Sequence, residues 1–482
     1  MNYSIIRRTL GFLLLFEAIF FLLPLITAVI YWEAAFFAFL ISIAVCAVVG
    51  GACVWKKPKD SSIYTKEAFV IVALGWIVMS LFGSLPFCLS GAIPSYIDAL
   101  FETVSGFTTT GASIIATGEA IEALPKSILM WRSFTHWIGG MGVLVFIMAF
   151  LPLSGAKNLH IMKAESPGPE VSKFVPKVRQ TAKILYLIYT ALTLTQFVLM
   201  LIAGMPLFDA ITTAFATAGT GGFATTANGM AGYSTLLQVI VTVFMLLYSV
   251  NFNSYYLLGK KRWKEALNTE VKVFFVIVFF AIALITANLC IAKQYTFLEA
   301  LQHVAFSVSS VISTTGFATE DFNLWPTFSK TILVLLMFVG ACAGSTGGGM
   351  KVSRWMMLSK GATHEVKRIL HPKQVKKITM DKRVVEHEVV RSLNAYVIAY
   401  ILIFVVSMLL ISLDGYDMIT NFTAVTATIN NIGPGLGAVG PTGSFAFFSV
   451  PSKIVFIFDM LVGRLEVFPM LILFAPSTWR KS

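Results

Sequence analysis

The chain has 482 residues, 57% of them hydrophobic and only 12% charged, and its mean hydropathy is +0.81. A soluble globular chain carries about 25% charge, so the composition excludes a soluble domain and indicates a polytopic membrane protein. The net charge of +12 is dispersed over short loops between apolar runs, as positive-inside topology requires, and this excludes nucleic acid as a partner.

In chain order, ten apolar segments have the length of a membrane-spanning helix, at about 11–32, 34–55, 66–88, 127–151, 182–204, 234–258, 271–292, 328–360, 391–413 and 450–475. The first follows Arg7 and Arg8 and resembles a signal peptide. It lacks a small-residue cleavage site and continues past Pro24 to Trp32, so it reads as a retained helix. Basic residues sort to one side: Arg7 and Arg8, Lys56 to Lys66, Lys157 to Lys183, Lys260 to Lys272, Lys351 to Arg391, then Arg480 and Lys481. The other side keeps Lys126, Arg132, Lys293, Lys330 and Lys453. This bias puts both termini in the cytoplasm of a multi-pass inner-membrane protein. Cys46, Cys53, Cys88, Cys290 and Cys342 lie in apolar runs without metal or redox spacing and read as small core residues.

After the third, fifth, seventh and ninth segments comes a short, moderately apolar stretch that opens with an acid. Asp98 starts "DALFETVSGFTTTG", Asp209 "DAITTAFATAGTGG", Glu299 "EALQHVAFSVSSVISTTG" and Asp417 "DMITNFTAVTATINNIG". From the acid to the closing Gly111, Gly222, Gly316 or Gly433 the spacing is 13, 13, 17 and 16 residues. An acid suits the positive end of a helix dipole, so each stretch reads as a re-entrant half-helix that points its C-terminal end into the membrane. Irregular backbone at membrane depth survives only inside protein or along a water-filled cavity. Four such strands around one axis can aim carbonyl oxygens at a dehydrated potassium ion. The alternative for a single copy is a plain Gly-rich turn; four copies between spanning helices argue against it.

The segments "SGFTTTGAS", "ATAGTGGFAT", "ISTTGFAT" and "NNIGPGLG" resemble the four filter segments of the Trk-type potassium-uptake membrane subunits, the TrkH family of the TrkH/KtrB cation-transporter superfamily. "WIGGMGVLVF" (137–146), "GACAGSTGGGMKVSR" (340–354) and "GRLEVF" (463–468) resemble its other signatures, and the match covers essentially the whole chain. The resemblance implies an all-α membrane protein of ten transmembrane helices and four pore half-helices. A two-helix unit (1–58) precedes pore repeats at 59–156, 157–265, 266–360 and 391–482, with a cytoplasmic linker at 361–390 before the fourth. It also implies a homodimer in membrane lipid and a cytoplasmic nucleotide-binding regulator of the TrkA type. Potassium would be the transported ligand, with no cofactor in this chain. The expected potassium-binding residues are Thr109, Thr110, Gly111, Thr220, Gly221, Gly222, Thr314, Thr315, Gly316, Asn431, Ile432 and Gly433. Only the first and third strands carry consecutive threonines before the glycine, so a sodium-coupled or less selective transporter of the Ktr type stays open.

Glycines and small residues interrupt the eighth segment. They read either as close helix packing or as a break that sets a flexible gate loop below the filter, as in this family: Gly344, Ser345, Thr346, Gly347, Gly348 and Gly349. The same stretch nearly matches a phosphate-binding loop and fails, because Met350 precedes Lys351 and Val352 replaces Ser or Thr. Arg464, near the middle of the last segment, is costly there. It reads as a gate charge that opposes cations, or as half of a salt bridge to another helix, with Glu466 and Asp459 poorly spaced to pair with it. His364, His371 and His387 lack ligand spacing and read as solvated. Glu17 is expected to face a packed helix neighbour. The basic segment 361–390 either docks a partner or only obeys the positive-inside rule. No set of acids, bases or metal ligands converges, so no catalytic residue is expected and a membrane enzyme is the weakest alternative.

Overall fold

The computed structural model describes residues 1–58, 63–115, 119–142, 178–226, 228–293, 295–371, 378–381 and 383–480. Among these, six helical stretches are long and apolar enough to cross a membrane: Tyr3–Ile30, Ala35–Trp55, Thr65–Leu89, Gln180–Ile202, Thr269–Ile291 and His387–Asp414. The pair Thr235–Ser249 and Phe252–Gly259 would make a seventh, but it bends by 91° at its break. The short helices foreseen between the spans are present at Tyr96–Phe107, Leu207–Gly219, Phe297–Ile312 and Met418–Ile429.

Lipid is as apolar as leucine, so helix association depends on close packing. The first two helices meet at glycines. A Cβ on Gly11 would stand 2.8 Å from Gly50 O, and one on Gly50 would stand 2.9 Å from Gly11 O. Phe21 carries this unit onto the next: its ring lies 6.1 Å from Phe39 and 4.5 Å from Trp131, whose indole donates to Gly83 O at 2.9 Å. Glu17 is fully buried against this junction, where a Cβ on Gly83 would lie 2.9 Å from its carboxylate.

Each helix that follows a short helix packs on the next short helix in the chain. Lys126–Gly140 contacts Leu207–Gly219, Thr235–Ser249 contacts Phe297–Ile312, and Thr327–Val339 contacts Met418–Ile429. Val450–Arg464 returns to Tyr96–Phe107 and closes the circuit. This arrangement puts the four short helices around a common centre.

The structure corrects the expectation of unbroken sixth and tenth spans and has the break that the sequence suggested in the eighth. The sixth segment breaks at Val250 and Asn251, whose extended backbone leads into a helix capped by the Asn251 side chain (2.8 Å to Asn253 N). The eighth breaks between Val339 and Val352. The tenth ends at Arg464, and Glu466 and Val467 have φ of 57° and 69° before a short helix at Phe468–Phe474. Arg464 is therefore a helix-terminal residue and not a mid-helix one. The fourth segment is described only to Gly142; its remainder and most of the basic stretch from Lys157 to Lys183 lie outside the described residues.

Four basic residues sorted as loop charges are inside the protein, among them Lys453, paired with Asp98 at 2.7 Å, and Arg354, paired with Glu466. Arg132 is buried in the Lys126–Gly140 helix, and Lys351 is buried at the end of the eighth-segment break, donating to Gly347 O. The helix Val352–Leu370 runs ten residues into the stretch read as a linker, and the next long helix starts at His387. Between them Thr379–Met380 pairs with Arg383–Val384, while 372–377 and 382 lie outside the described residues. His371 and His387 are exposed, and His364 lies 3.9 Å from Glu365. All five cysteines are free thiols.

Candidate functional site

The four short helices begin alike. Asp98, Asp209 and Glu299 are third residues of their helices, and Asp417 is the cap itself. The sequence reading had each helix opening at its acid; in three the chain turns helical two residues earlier. Glu299 accepts from the Thr296 amide and hydroxyl at 3.2 and 2.9 Å, and these bonds hold its carboxyl below the usual range. Asp417 accepts from Thr420 N at 3.0 Å, with the same consequence.

They also end alike. At Thr109, Thr220, Thr314 and Asn431 φ is 56°, 56°, 59° and 54°. Each of these residues donates to the carbonyl three back, and the next residue to the carbonyl five back: Thr109 to Gly106 and Thr110 to Ser105, and so on through Asn431 to Thr428 and Ile432 to Ala427. This is a Schellman cap, which normally has glycine at the left-handed position. Three copies use β-branched threonine there, at a cost of order 1–3 kcal/mol each. Backbone strain repeated at equivalent sites marks a constraint other than stability.

Two residues later in each strand comes a glycine with positive φ: Gly111 78°, Gly222 74°, Gly316 81° and Gly433 96°. The four close a cycle. A Cβ on Gly111 would overlap Gly221 O, one on Gly222 would overlap Thr315 O, and one on Gly316 would overlap Ile432 O. One on Gly433 would lie 2.8 Å from Thr110 O. The Gly111 Cβ would also come within 3.8 Å of Thr315 O on the opposite strand, so this direction is inward. Side chains brace the ring from behind. Asn431 Nδ2 donates to Thr110 Oγ1 and to Met460 O, both at 2.9 Å, and Thr315 Oγ1 pairs with Ser313 Oγ at 2.7 Å.

The break in the eighth segment lies against these strands. The segment, here called the plug, is tied to its neighbours by hydrogen bonds along its length. Cys342 N donates to Ser249 O at 3.0 Å, and Phe252 N to Gly344 O at 3.0 Å, which locks the eighth break to the sixth. Gly348 N donates to Thr314 Oγ1 at 2.6 Å and Gly349 N to Asn430 O at 3.0 Å. Ser345 hydroxyl turns back to Cys342 O at 2.6 Å, and a Cβ on Gly347 would lie 2.8 Å from Ser313 O. Close packing and a break were posed as alternatives; the small residues serve both.

Arg464 reaches the same place. Its guanidinium donates to Thr346 O at 2.9 Å, Gly139 O at 2.5 Å and Gly140 O at 2.7 Å. Carbonyls from the plug and from a helix C-terminus, both electronegative, hold the charge. Glu466 pairs instead with Arg354.

Several residues around the site were missed by sequence reasoning. Glu270 accepts from Ala343 N at 2.7 Å and Ser353 N at 3.1 Å, and so ties both flanks of the plug. Glu102 and Arg132 form a buried pair at 2.8 Å beside the first strand, where Glu102 also takes Ser113 Oγ and Ile114 N at 3.0 Å each. His136 packs behind the second strand. For Glu102 and Arg132 the available signal was an acid inside an otherwise apolar stretch with a basic residue one span later.

Comparison with known proteins identifies the family. Residues 35–481 match the model of the TrkH family, described as a cation transport protein. The chain is 36% identical over 492 residues to the Trk system potassium uptake protein TrkH of Escherichia coli (strain K12), with all of both chains covered. It is 32% identical to the TrkG potassium uptake protein of the same strain, covering 99% of this chain and 98% of that one. The crystal structure of the potassium transporter TrkH from Vibrio parahaemolyticus matches with a TM-score of 0.90 at 34% identity, covering 100% of each chain.

Proposed function

This chain belongs to the TrkH family of cation transport proteins, and we infer that it carries potassium into the cell through a pore formed by its four polar strands. It is a transporter and not an enzyme, in a family whose named members are potassium-uptake proteins. The observation that carries the reading is the closed cycle of glycines and carbonyls: Gly111 on Gly221, Gly222 on Thr315, Gly316 on Ile432, Gly433 on Thr110.

A potassium ion that enters the ring loses water, and carbonyl oxygens replace it. The residues assigned to the ion are Thr109, Thr110 and Gly111; Thr220, Gly221 and Gly222; Thr314, Thr315 and Gly316; Asn431, Ile432 and Gly433. Four helix C-terminal ends add a negative potential at the same point. Any side chain at the glycines would enter the ring. Below it, Gly344 to Gly349 and Arg464 form the gate, the plug obstructing the path and the guanidinium repelling cations. Opening requires breaking the bonds of Gly348 to Thr314 and Gly349 to Asn430, and that of the Thr346 hydroxyl to Tyr248 O at 3.2 Å.

The architecture that goes with this function has ten transmembrane helices and four half-helices in four membrane–pore–membrane units. It would lie in the cytoplasmic membrane with both termini inside, as a homodimer whose cytoplasmic face meets a TrkA-like regulator. A second reading, a sodium-coupled or less selective transporter, is favoured by one observation: Gly221 and Ile432 stand where the other strands have a threonine hydroxyl. Growth of a potassium-uptake-deficient bacterium expressing this chain, in low potassium with and without sodium, decides. Rescue without sodium supports the first reading, rescue only with sodium the second, and no rescue by an expressed protein refutes both.

A further inference from the structure

The four strands differ at the residue after the left-handed one: Thr110, Gly221, Thr315 and Ile432. Thr110 and Thr315 anchor their hydroxyls in neighbouring side chains, and Ile432 is buried among apolar residues. Gly221 has no side chain to anchor. Yet its carbonyl is a member of the ring and faces Gly111.

The missing side chain is supplied by another element. Cγ, Cδ2 and Nδ1 of His136 stand where a Cβ on residue 221 would be. The same helix touches the strand twice more: a Cβ on Gly219 would overlap His136 O, and one on Gly140 would lie 2.7 Å from Gly219 Cα. The imidazole is fully buried and stacks on Phe223, two residues along the strand, at 4.2 Å between centroids. Phe223 is itself held by the Arg132 guanidinium at 4.1 Å, and Arg132 by Glu102.

Neither ring nitrogen of His136 has a hydrogen-bond partner among the described residues. A buried polar group without partners is a cost that an aliphatic residue would avoid. The flat ring fits between a bare backbone and Phe223, and that shape accounts for its presence.

We propose that His136 is a positioning residue for ion selection: its ring takes the part of the side chain that the second strand lacks and sets how far the Gly221 carbonyl stands from the axis. This rests on the filter reading of the four strands. Without the ring, the Gly221 carbonyl can retreat, and the ring of oxygens loses the size that separates potassium from sodium.

The test is the potassium-over-sodium flux ratio of purified full-length protein in liposomes, for His136→Ala, Gly221→Ala, the double variant and Gly111→Ser. His136→Ala is expected to lower the ratio by about tenfold, equivalent to about 1.4 kcal/mol. Gly221→Ala should abolish potassium flux, because its methyl meets the imidazole, and the double variant should recover flux and part of the ratio, a coupling that independent sites would not give. If His136→Ala is not recovered folded, His136→Asn is read in the same way. A Gly221→Ala protein with the parent's flux and ratio overturns the proposal, and so does an unchanged ratio in His136→Ala or His136→Asn while Gly111→Ser shifts it. An unchanged ratio in Gly111→Ser refutes the filter reading itself.

Discussion

The Gly348 amide donates to the Thr314 hydroxyl across 2.6 Å, so the break in the eighth span is bonded to the third strand of the ring. Thr314 has left-handed backbone, and its side chain points down to the plug. On the proposed reading gate and filter therefore share a residue, and moving one would remove a hydrogen bond from the other. Thr314→Val keeps the β-branched shape and leaves the buried Gly348 N–H without an acceptor, a cost of about 1–3 kcal/mol in the closed form. Resting potassium flux through liposomes should rise by about two- to thirteenfold if half of that cost appears in the opening equilibrium. Thr314→Ser should stay near the parent, and equal flux in Val and parent would deny the coupling.

Replacing Gly111 or Gly316 by Ser asks an L-residue to hold φ near 78° or 81° with its Cβ against Gly221 O or Ile432 O. The ring must widen or distort. The expected result is a reduced potassium-over-sodium ratio for either variant in a flux assay, with the folded protein recovered from the membrane. Unchanged selectivity in both would remove these glycines from the filter.

Arg464 binds carbonyls of Thr346, Gly139 and Gly140, and on the proposed reading it acts on the gate in two ways. Its charge repels a cation: at roughly 8 Å and an effective dielectric near 20, by about 2 kcal/mol. That is a roughly thirtyfold slowing if it appears wholly in the barrier. Its donors also hold the plug to the end of the Lys126–Gly140 helix. Arg464→Ala should raise resting flux through both effects. Arg464→Lys keeps the charge and loses the forked geometry, so it should lie between parent and Ala. Lower flux in a folded Arg464→Ala protein would argue that the residue only supports the structure.

The Glu102–Arg132 pair is buried on both sides and braces the first and second strands together. Removing one partner of such a pair strands a charge and costs about 3–5 kcal/mol. Glu102→Ala and Arg132→Ala should each lower the thermal midpoint in detergent markedly, and the double variant should be less destabilised than the sum. Additive single effects would mean that the two charges do not depend on each other.

What the amino-acid sequence determined by itself was everything set by local chemistry repeated along the chain. Apolar length marked the six long spans seen among the described residues, because a bilayer has one thickness. Acids near helix starts and glycines after polar runs marked the four half-helices and their strands, because dipoles and positive φ select those residues. What only tertiary structure decided was every relation between units. That Gly111 faces Gly221 O, and Gly433 faces Thr110 O across more than three hundred residues, depends on ring closure, which no window of sequence contains. Arg132 looked like a loop charge because hydropathy counts a charge without its partner; Glu102, brought in by the fold from the preceding short helix, lets it be buried. The breaks at Asn251 and Glu466 carry little glycine signal, since their dihedrals are held by contacts with the plug and with Arg354. His136 shows the same limit most directly: a lone histidine in an apolar helix acquires a role only because Gly221, on another repeat, left it a space.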